Sequence, residues 1–204
     1  MDGVKSRRTG LRAQRAEATR QRISEAARLL FRRDGYAATT LQAIADEAGV
    51  AVQTVYAVYG SKAGILGALR EMAVFQPEAG RLASEAMGEA SPDARLRLIA
   101  RSIRVRWDAA ADVTAIHRDA ALVDRRLREP VEAVHARRMD GLTALAKTLD
   151  GTLRSGLDAD RAAAILDALT MPEVYLELVE VQGWTSEEYE AWLGTALVEQ
   201  LLAR

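Results

Sequence analysis

The chain has 204 residues, with 28 Lys and Arg against 29 Asp and Glu, and no cysteine. That length admits one large or two small domains. The missing cysteine excludes disulfides and thiolate metal sites, and the lack of any run of 18 apolar residues excludes a membrane-spanning helix. The net charge of −1 conceals an asymmetry. Residues 1–33 carry ten Lys and Arg against three acids, a net of +7, which leaves −8 for the remainder. A basic end on an acidic body suits a protein of which only that end meets polyphosphate.

In chain order, residues 1–15 read as a basic disordered arm, suited to a DNA minor groove. A first helix is expected from about Ala16 to Arg33, with Ile23, Ala26, Ala27, Leu30 and Phe31 on its core face and Gly35 after its end. The stretch Thr39 to Leu66 then reads as a helix-turn-helix entering a further helix. Thr39 and Gln42 have capping-box spacing. Leu41, Ile44, Ala45 and Ala48 form one apolar stripe. Gly49 follows where a left-handed residue ends a helix, and a second short helix starts near Ala51 or Val52. Ala45, Gly49 and Val55 supply the small contact, the turn and the branched backing that two steeply crossed helices need. Gln53, Thr54 and Tyr56 are left facing outward. Gln pairs bidentately with adenine, Thr offers a hydroxyl and a methyl, and Tyr offers a hydroxyl to phosphate. Ser61 is a good N-cap for the next helix, whose free amides suit phosphate, and Lys62 adds a charge there.

These residues resemble the TetR family of bacterial helix-turn-helix transcriptional regulators. The resemblance covers about residues 19–70. It rests on Arg22-Ile23, Ala26-Ala27, Leu30-Phe31, Gly35-Tyr36, Thr39-Thr40, Ile44-Ala45, Ala48-Gly49-Val50, Thr54-Val55-Tyr56, Tyr59, Lys62 and Leu66. It implies that Thr40 starts the first motif helix and touches a phosphate. It implies base reading by Gln53 and Thr54, backbone contacts from Tyr56 and Lys62, and a largely packing role for Tyr59. Ala51 stands where the family usually has a Ser or Thr cap, Val58 where a polar residue is common, and Ala63-Gly64 where acids are frequent.

The fourth helix is expected from Lys62 to about Phe75, stopped near Pro77. The remaining pattern is helical throughout. Ser91-Pro92 opens a helix with Leu96, Ile99, Ala100, Ile103 and Trp107 on one face, and another runs from about Val113 to Arg126. Pro130 opens a helix through Val134, Met139, Leu142 and Leu145 to Gly151. Asp158 caps a long helix to Val181 that Pro172 should kink. Thr185 and Glu188 make a capping box for the last one. The last two helices are apolar on more than one face, which calls for a second partner surface. The resemblance likewise implies homodimers joined through them.

The expected fold is therefore all-α, with a basic arm (1–15), a helix-turn-helix DNA-binding domain (16–75) and a larger helical effector-binding and dimerisation domain (76–204). DNA-contact candidates are Thr40, Gln53, Thr54, Tyr56, Ser61 and Lys62. For a small, largely apolar effector they are Trp107, His117, Met139, Met171 and Tyr175, with Pro172 freeing a carbonyl beside them. A helix-turn-helix dimer reads a pseudo-palindromic operator in double-stranded DNA. The expected function is a regulator of repressor type released by its ligand; the alternative is a DNA-binding protein without an effector, constitutive or architectural. Only two histidines, His117 and His135, and no HExxH, phosphate loop or nucleophile elbow argue against an enzyme. No cofactor, metal or membrane partner is expected, and the absence of a secretory pattern at the start fits a cytoplasmic location.

Overall fold

The computed structural model describes residues 2–203, and the side chains of all but 2–12, 74 and 129–131 among them. α1 spans Asp2–Asp34. It begins well before the expected Ala16, so the segment expected to be disordered is helical backbone here. Residues 2–15 contain no proline and end in the strong helix formers Leu11, Arg12, Ala13, Gln14 and Arg15. Ile23, Ala27, Leu30 and Phe31 are buried along one face.

Three short helices follow: α2 (Leu41–Ala48), α3 (Val52–Tyr59) and α4 (Lys62–Val74). Ile44, Ala45, Val55, Ile65 and Leu66 are fully buried between them and α1. Gly49 adopts φ +63° and returns its N–H to the carbonyls of Ala45 and Asp46, closing α2 so that α3 can start three residues later. Pro77 does more than stop α4. It occupies the first turn of α5 (Pro77–Gly88), an unexpected helix that buries only Ala79, Leu82 and Ala86.

α6 (Pro92–Val123) is a single helix of 32 residues, where two were expected. It contains no glycine, and its one proline is at its start. It threads two cores. Its second half contributes Val113, Ile116, Ala120 and Ala121 to the core of α1–α4, with Leu127 from the 3-10 turn that follows. Its first half, from Leu96 to Trp107, belongs to the other core. There it meets α7 (Arg128–Lys147), α8 (Ala159–Leu169) and α10 (Ser186–Leu201). Leu149, Leu166, Tyr189, Leu193 and Leu197 are fully buried in that core. A Cβ at Gly194 would lie 3.4 Å from Cγ of Arg97 and 3.7 Å from Cβ of Ala100, so α10 closes on α6 through small residues.

Pro172 breaks the expected long helix instead of kinking it. Met171 is extended (φ −67°, ψ 144°), as the residue before proline prefers. A five-residue α9 (Pro172–Leu176) runs into a π-helical stretch, Glu177–Val181. The expected capping box of α10 is present, with the Thr185 hydroxyl accepting from the Glu188 N–H at 3.1 Å and the Glu188 carboxylate accepting from the Thr185 N–H at 2.7 Å. Ile165, Leu169, Trp192 and Val198 lie on the last long elements and are only half-buried.

Ion pairs from α1 join the two halves: Arg28 and Arg32 both face Asp112 of α6, and Arg32 also meets Glu180 at 2.7 Å. Arg28 of α1 donates from Nε and Nη2 to both carboxylate oxygens of Asp112 on α6, at 2.7 and 2.6 Å. The Asp112 side chain is 7% exposed and that of Arg28 40%. Deleting the Arg28 cation leaves a buried carboxylate with only the more distant Arg32 guanidinium at 3.8 Å and the Val113 N–H at 2.8 Å. A fully buried pair loses about 3–5 kcal/mol on such a change, and the exposure of Arg28 reduces this. Arg28→Ala should therefore lower unfolding free energy by about 2 kcal/mol in urea titrations. A loss below about 0.5 kcal/mol, the level of an ordinary surface pair, would contradict this account.

Candidate nucleic-acid interface and effector cavity

At the start of α2 the capping residue is Thr40, one position later than sequence spacing suggests. Its exposed hydroxyl accepts from the Ala43 N–H at 3.0 Å. Thr39 is buried instead, its hydroxyl donating to the Gly35 carbonyl at 2.8 Å. The capping box of Thr39 with Gln42 does not form, and Gln42 donates to Asp46 at 2.7 Å. The resemblance had placed the helix start at Thr40.

α3 begins after Ala51, which has no side-chain cap. Gln53 and Tyr56 are three residues apart and exposed on one face, with Thr54 half-buried beside them. Val55 on the opposite face is fully buried, and this fixes which face is offered outward. The Tyr59 hydroxyl pairs with the Ser24 hydroxyl at 2.7 Å and donates to the Arg20 carbonyl at 3.0 Å, in keeping with a packing role.

The link into α4 turns on Gly60 at φ +71°. The Ser61 hydroxyl caps α4 by accepting from the Gly64 N–H at 3.1 Å. Lys62 does not project freely. Its ammonium donates to the Tyr36 and Ala37 carbonyls at 2.7 and 3.2 Å and lies 4.6 Å from the centre of the Tyr36 ring. Burial pushes its pKa below the ordinary lysine value. Thr40, Gln53, Thr54, Tyr56 and Ser61 thus lie on the short motif elements, while the sixth candidate ties α4 to the link between α1 and α2.

The larger helical region holds a cavity of about 590 Å³, within the range typical of small-molecule sites. Its wall comes from Arg70 and Ala73 of α4, Ala83 and Met87 of α5, one face of α6 from Ile99 to Arg118, α7 from Val134 to Leu145, and Met171 and Pro172. Of the sequence candidates, Trp107, His117 and Met171 line it. Met139 and Tyr175 do not. Met139 packs against the neighbouring core. The Tyr175 hydroxyl donates to Asp108 at 2.6 Å, and its ring meets Tyr189 edge-on with centroids 5.0 Å apart. The Thr170 carbonyl, at the helix break before Pro172, is engaged too: it accepts from the Trp107 indole at 3.1 Å and from Arg138 at 3.2 Å.

Sequence reading missed the polar lining. Arg106 follows Ile99 and Ile103 at i+7 and i+3, which places it on the apolar face of α6. That spacing was the available signal. Among the described residues, no group of three or more acids or histidines is placed to hold a metal, and no helix is long and apolar enough to cross a membrane.

Two expectations test this geometry. A Cβ on Gly64 would overlap the Tyr59 carbonyl oxygen, a backbone atom that cannot swing aside. Gly64→Ala should cost about 1–3 kcal/mol, seen in thermal unfolding, because the link between α3 and α4 must shift; an unchanged melting temperature would refute the close approach. His117 is held below the ordinary histidine pKa of 6.5, chiefly by burial and then by Arg70. Above about pH 6.5 it is neutral in both folded and unfolded states. As pH falls, the unfolded chain takes the proton first, so stability declines from about pH 6.5 towards 5.5. His117→Gln should flatten that decline, and unfolding titrations in this window would show it.

Comparison with known proteins follows the same division. Residues 23–69 match the model of bacterial regulatory proteins, tetR family. No curated protein matches the chain. Among solved structures, the fold is similar to the ketosteroid transcriptional regulator KstR2 of Mycobacterium tuberculosis, with a TM-score of 0.70 at 16% identity over 91% of this chain and 95% of that one. It is similar to SmeT in complex with triclosan, with a TM-score of 0.66 at 22% identity over 91% and 92%. It is also similar to FadR from Bacillus subtilis in complex with stearoyl-CoA, with a TM-score of 0.64 at 19% identity over 88% and 98%. The family-model match thus falls on α1–α4, and the all-helical fold is similar to these regulators along most of the chain.

Proposed function

We propose that the protein is a transcriptional repressor that holds a pseudo-palindromic operator as a homodimer and leaves it when a small molecule enters the cavity. The observation that carries this reading is the double membership of α4. Arg70 and Ala73 form part of the cavity wall, while the same helix begins with the Ser61 cap and Lys62, two residues after α3 ends. The two ends are about 12 Å apart along the axis at 1.5 Å per residue. A ligand that shifts α4 therefore shifts the base-reading helix.

Thr40, Tyr56 and Ser61 hold phosphates in this reading, and Gln53 and Thr54 read base edges. Lys62 supports them from behind through the Tyr36 and Ala37 carbonyls. The half-buried Ile165, Leu169, Trp192 and Val198 provide an apolar face for a second copy. The complexes of SmeT with triclosan and FadR with stearoyl-CoA support occupancy of this fold by small molecules. The cavity weighs against a constitutive DNA-binding protein, for which a filled helical body is expected. The place of work is the cytoplasm, with the DNA.

The test is selection from sheared genomic DNA at moderate salt. One pseudo-palindromic sequence should be enriched. Gln53→Ala should relax preference at one base pair in each half-site by about 1–3 kcal/mol. Retention without sequence preference, or a site without symmetry, would overturn the reading.

A further inference from the structure

The lining of the cavity is one-sided in charge. Among the described residues it contains five arginines and two histidines and no aspartate or glutamate. The chain as a whole has 29 acids to 28 bases, so composition does not explain this. Two of the arginines are neutralised: Arg118 meets Glu173 at 2.5 Å, and Arg138 meets Asp167 at 2.6 Å. Arg70 and Arg106 have no carboxylate within 4.0 Å among the described residues. The Nε of Arg70 is buried with no hydrogen-bond partner.

An arginine cannot shed its charge at neutral pH. Arg70 and Arg106 are half-buried, and a cation partly withdrawn from water without a counter-ion carries a desolvation cost that an anion relieves. Burial, and then Arg138, push Arg106 below the ordinary arginine pKa, and Arg70 does the same to the buried His117. Apart from Ser102 and Thr114, the rest of the wall is apolar, with Ile103, Trp107, Val113, Leu142 and Leu145 prominent in it. An inorganic anion alone would leave most of about 590 Å³ empty of apolar contact, and a neutral hydrocarbon would leave the guanidinium groups unpaired.

We propose that the cavity takes an anionic amphiphile, an apolar body with one oxyanion head, and that Arg106 and Arg70 hold the head. The planar guanidinium fork matches carboxylate and phosphate geometry alike. Arg70 belongs to α4, so the head is read by the helix whose far end adjoins α3. The proposal rests on the effector reading above and deepens it.

The experiment is calorimetric titration of the full chain with decanoate, decyl phosphate, decanol and decyltrimethylammonium, which share one tail. At least one of the two anions should bind about tenfold or more tightly than decanol, the scale of a charge-assisted hydrogen bond, and the ammonium should not bind. Whichever anion binds more tightly identifies the head as carboxylate or phosphate. Arg106→Gln and Arg70→Gln should each erase most of the preference and leave decanol unchanged. Arg106→Gln removes an unpaired cation, so its melting temperature should equal or exceed the parent's, and this separates lost binding from lost folding. Decanol binding as well as the anions, a preference that survives both substitutions, or no binding by any probe would overturn the proposal. The same probes added to the protein on its selected DNA separate the two readings. Release by decanol and the anions alike keeps the effector reading and discards the oxyanion. Arginine-dependent anion binding that leaves DNA retention unchanged keeps the oxyanion and discards the effector reading.

Discussion

The structure depends on the sharing of one helix between two cores. α6 gives its first half to the packing of α7, α8 and α10 and its second half to the packing of α1–α4. Packed interiors are close to crystalline density and transmit displacement instead of absorbing it. The helix-turn-helix is therefore not an independent bead on a tether. Val113, Ile116 and Ala120 complete its core, and the Arg28–Asp112 pair pins α1 to the same helix. The expected boundary after residue 75 marks a change of role along the chain, but the packing of the first core crosses it.

That arrangement gives α4 two neighbours with different demands. On one side α4 packs with α1, α3 and α6, and its first turn is locked by the Ser61 cap and the Lys62 tie. On the other side it offers Arg70 and Ala73 to a cavity. In the proposed reading, a ligand changes DNA affinity only by its difference in affinity for the DNA-bound and released placements of α4, and the effect is reciprocal. A half-buried arginine without a carboxylate partner among the described residues is one source of such a difference, because an arriving anion makes a contact that depends on where α4 sits.

The helix-turn-helix was legible because its signals are local. The stripe of Leu41, Ile44, Ala45 and Ala48, the left-handed Gly49 and the caps near Thr40 and Ser61 depend on neighbours a few residues away. The same holds for Ser91-Pro92 and for the box of Thr185 and Glu188. What failed to show depends on distant partners. α6 looked like two helices because its apolar stripe shifts and Asp112 interrupts it; the interruption makes sense only beside Arg28, 84 residues earlier. α5 buries two alanines and one leucine, too weak a stripe to announce a helix. Met139 and Tyr175 have the chemistry of a ligand wall, yet Asp108 and Tyr189 claim Tyr175 and the core claims Met139. Arg106 shares the apolar face of α6 by its spacing from Ile99 and Ile103, but only the tertiary fold sets it and Arg70 around one cavity.

Under the proposed function, the oxyanion also bears on how a ligand would weaken DNA binding. Direct repulsion between an anion at Arg70 and a phosphate near Lys62 acts over about 12 Å or more. At an effective dielectric of about 20, one such pair is worth about 1.4 kcal/mol before screening. At physiological salt the Debye length is about 8 Å, which leaves roughly 0.3–0.4 kcal/mol. Couplings between sites are typically about 1–3 kcal/mol. Charge alone therefore falls short by several-fold, and the balance must come from movement. The oxyanion's part is to pull on Arg70 and make the position of α4 depend on occupancy. In the proposed reading, packing against α3 then converts that position into the placement of Gln53 and Thr54 at the base edges.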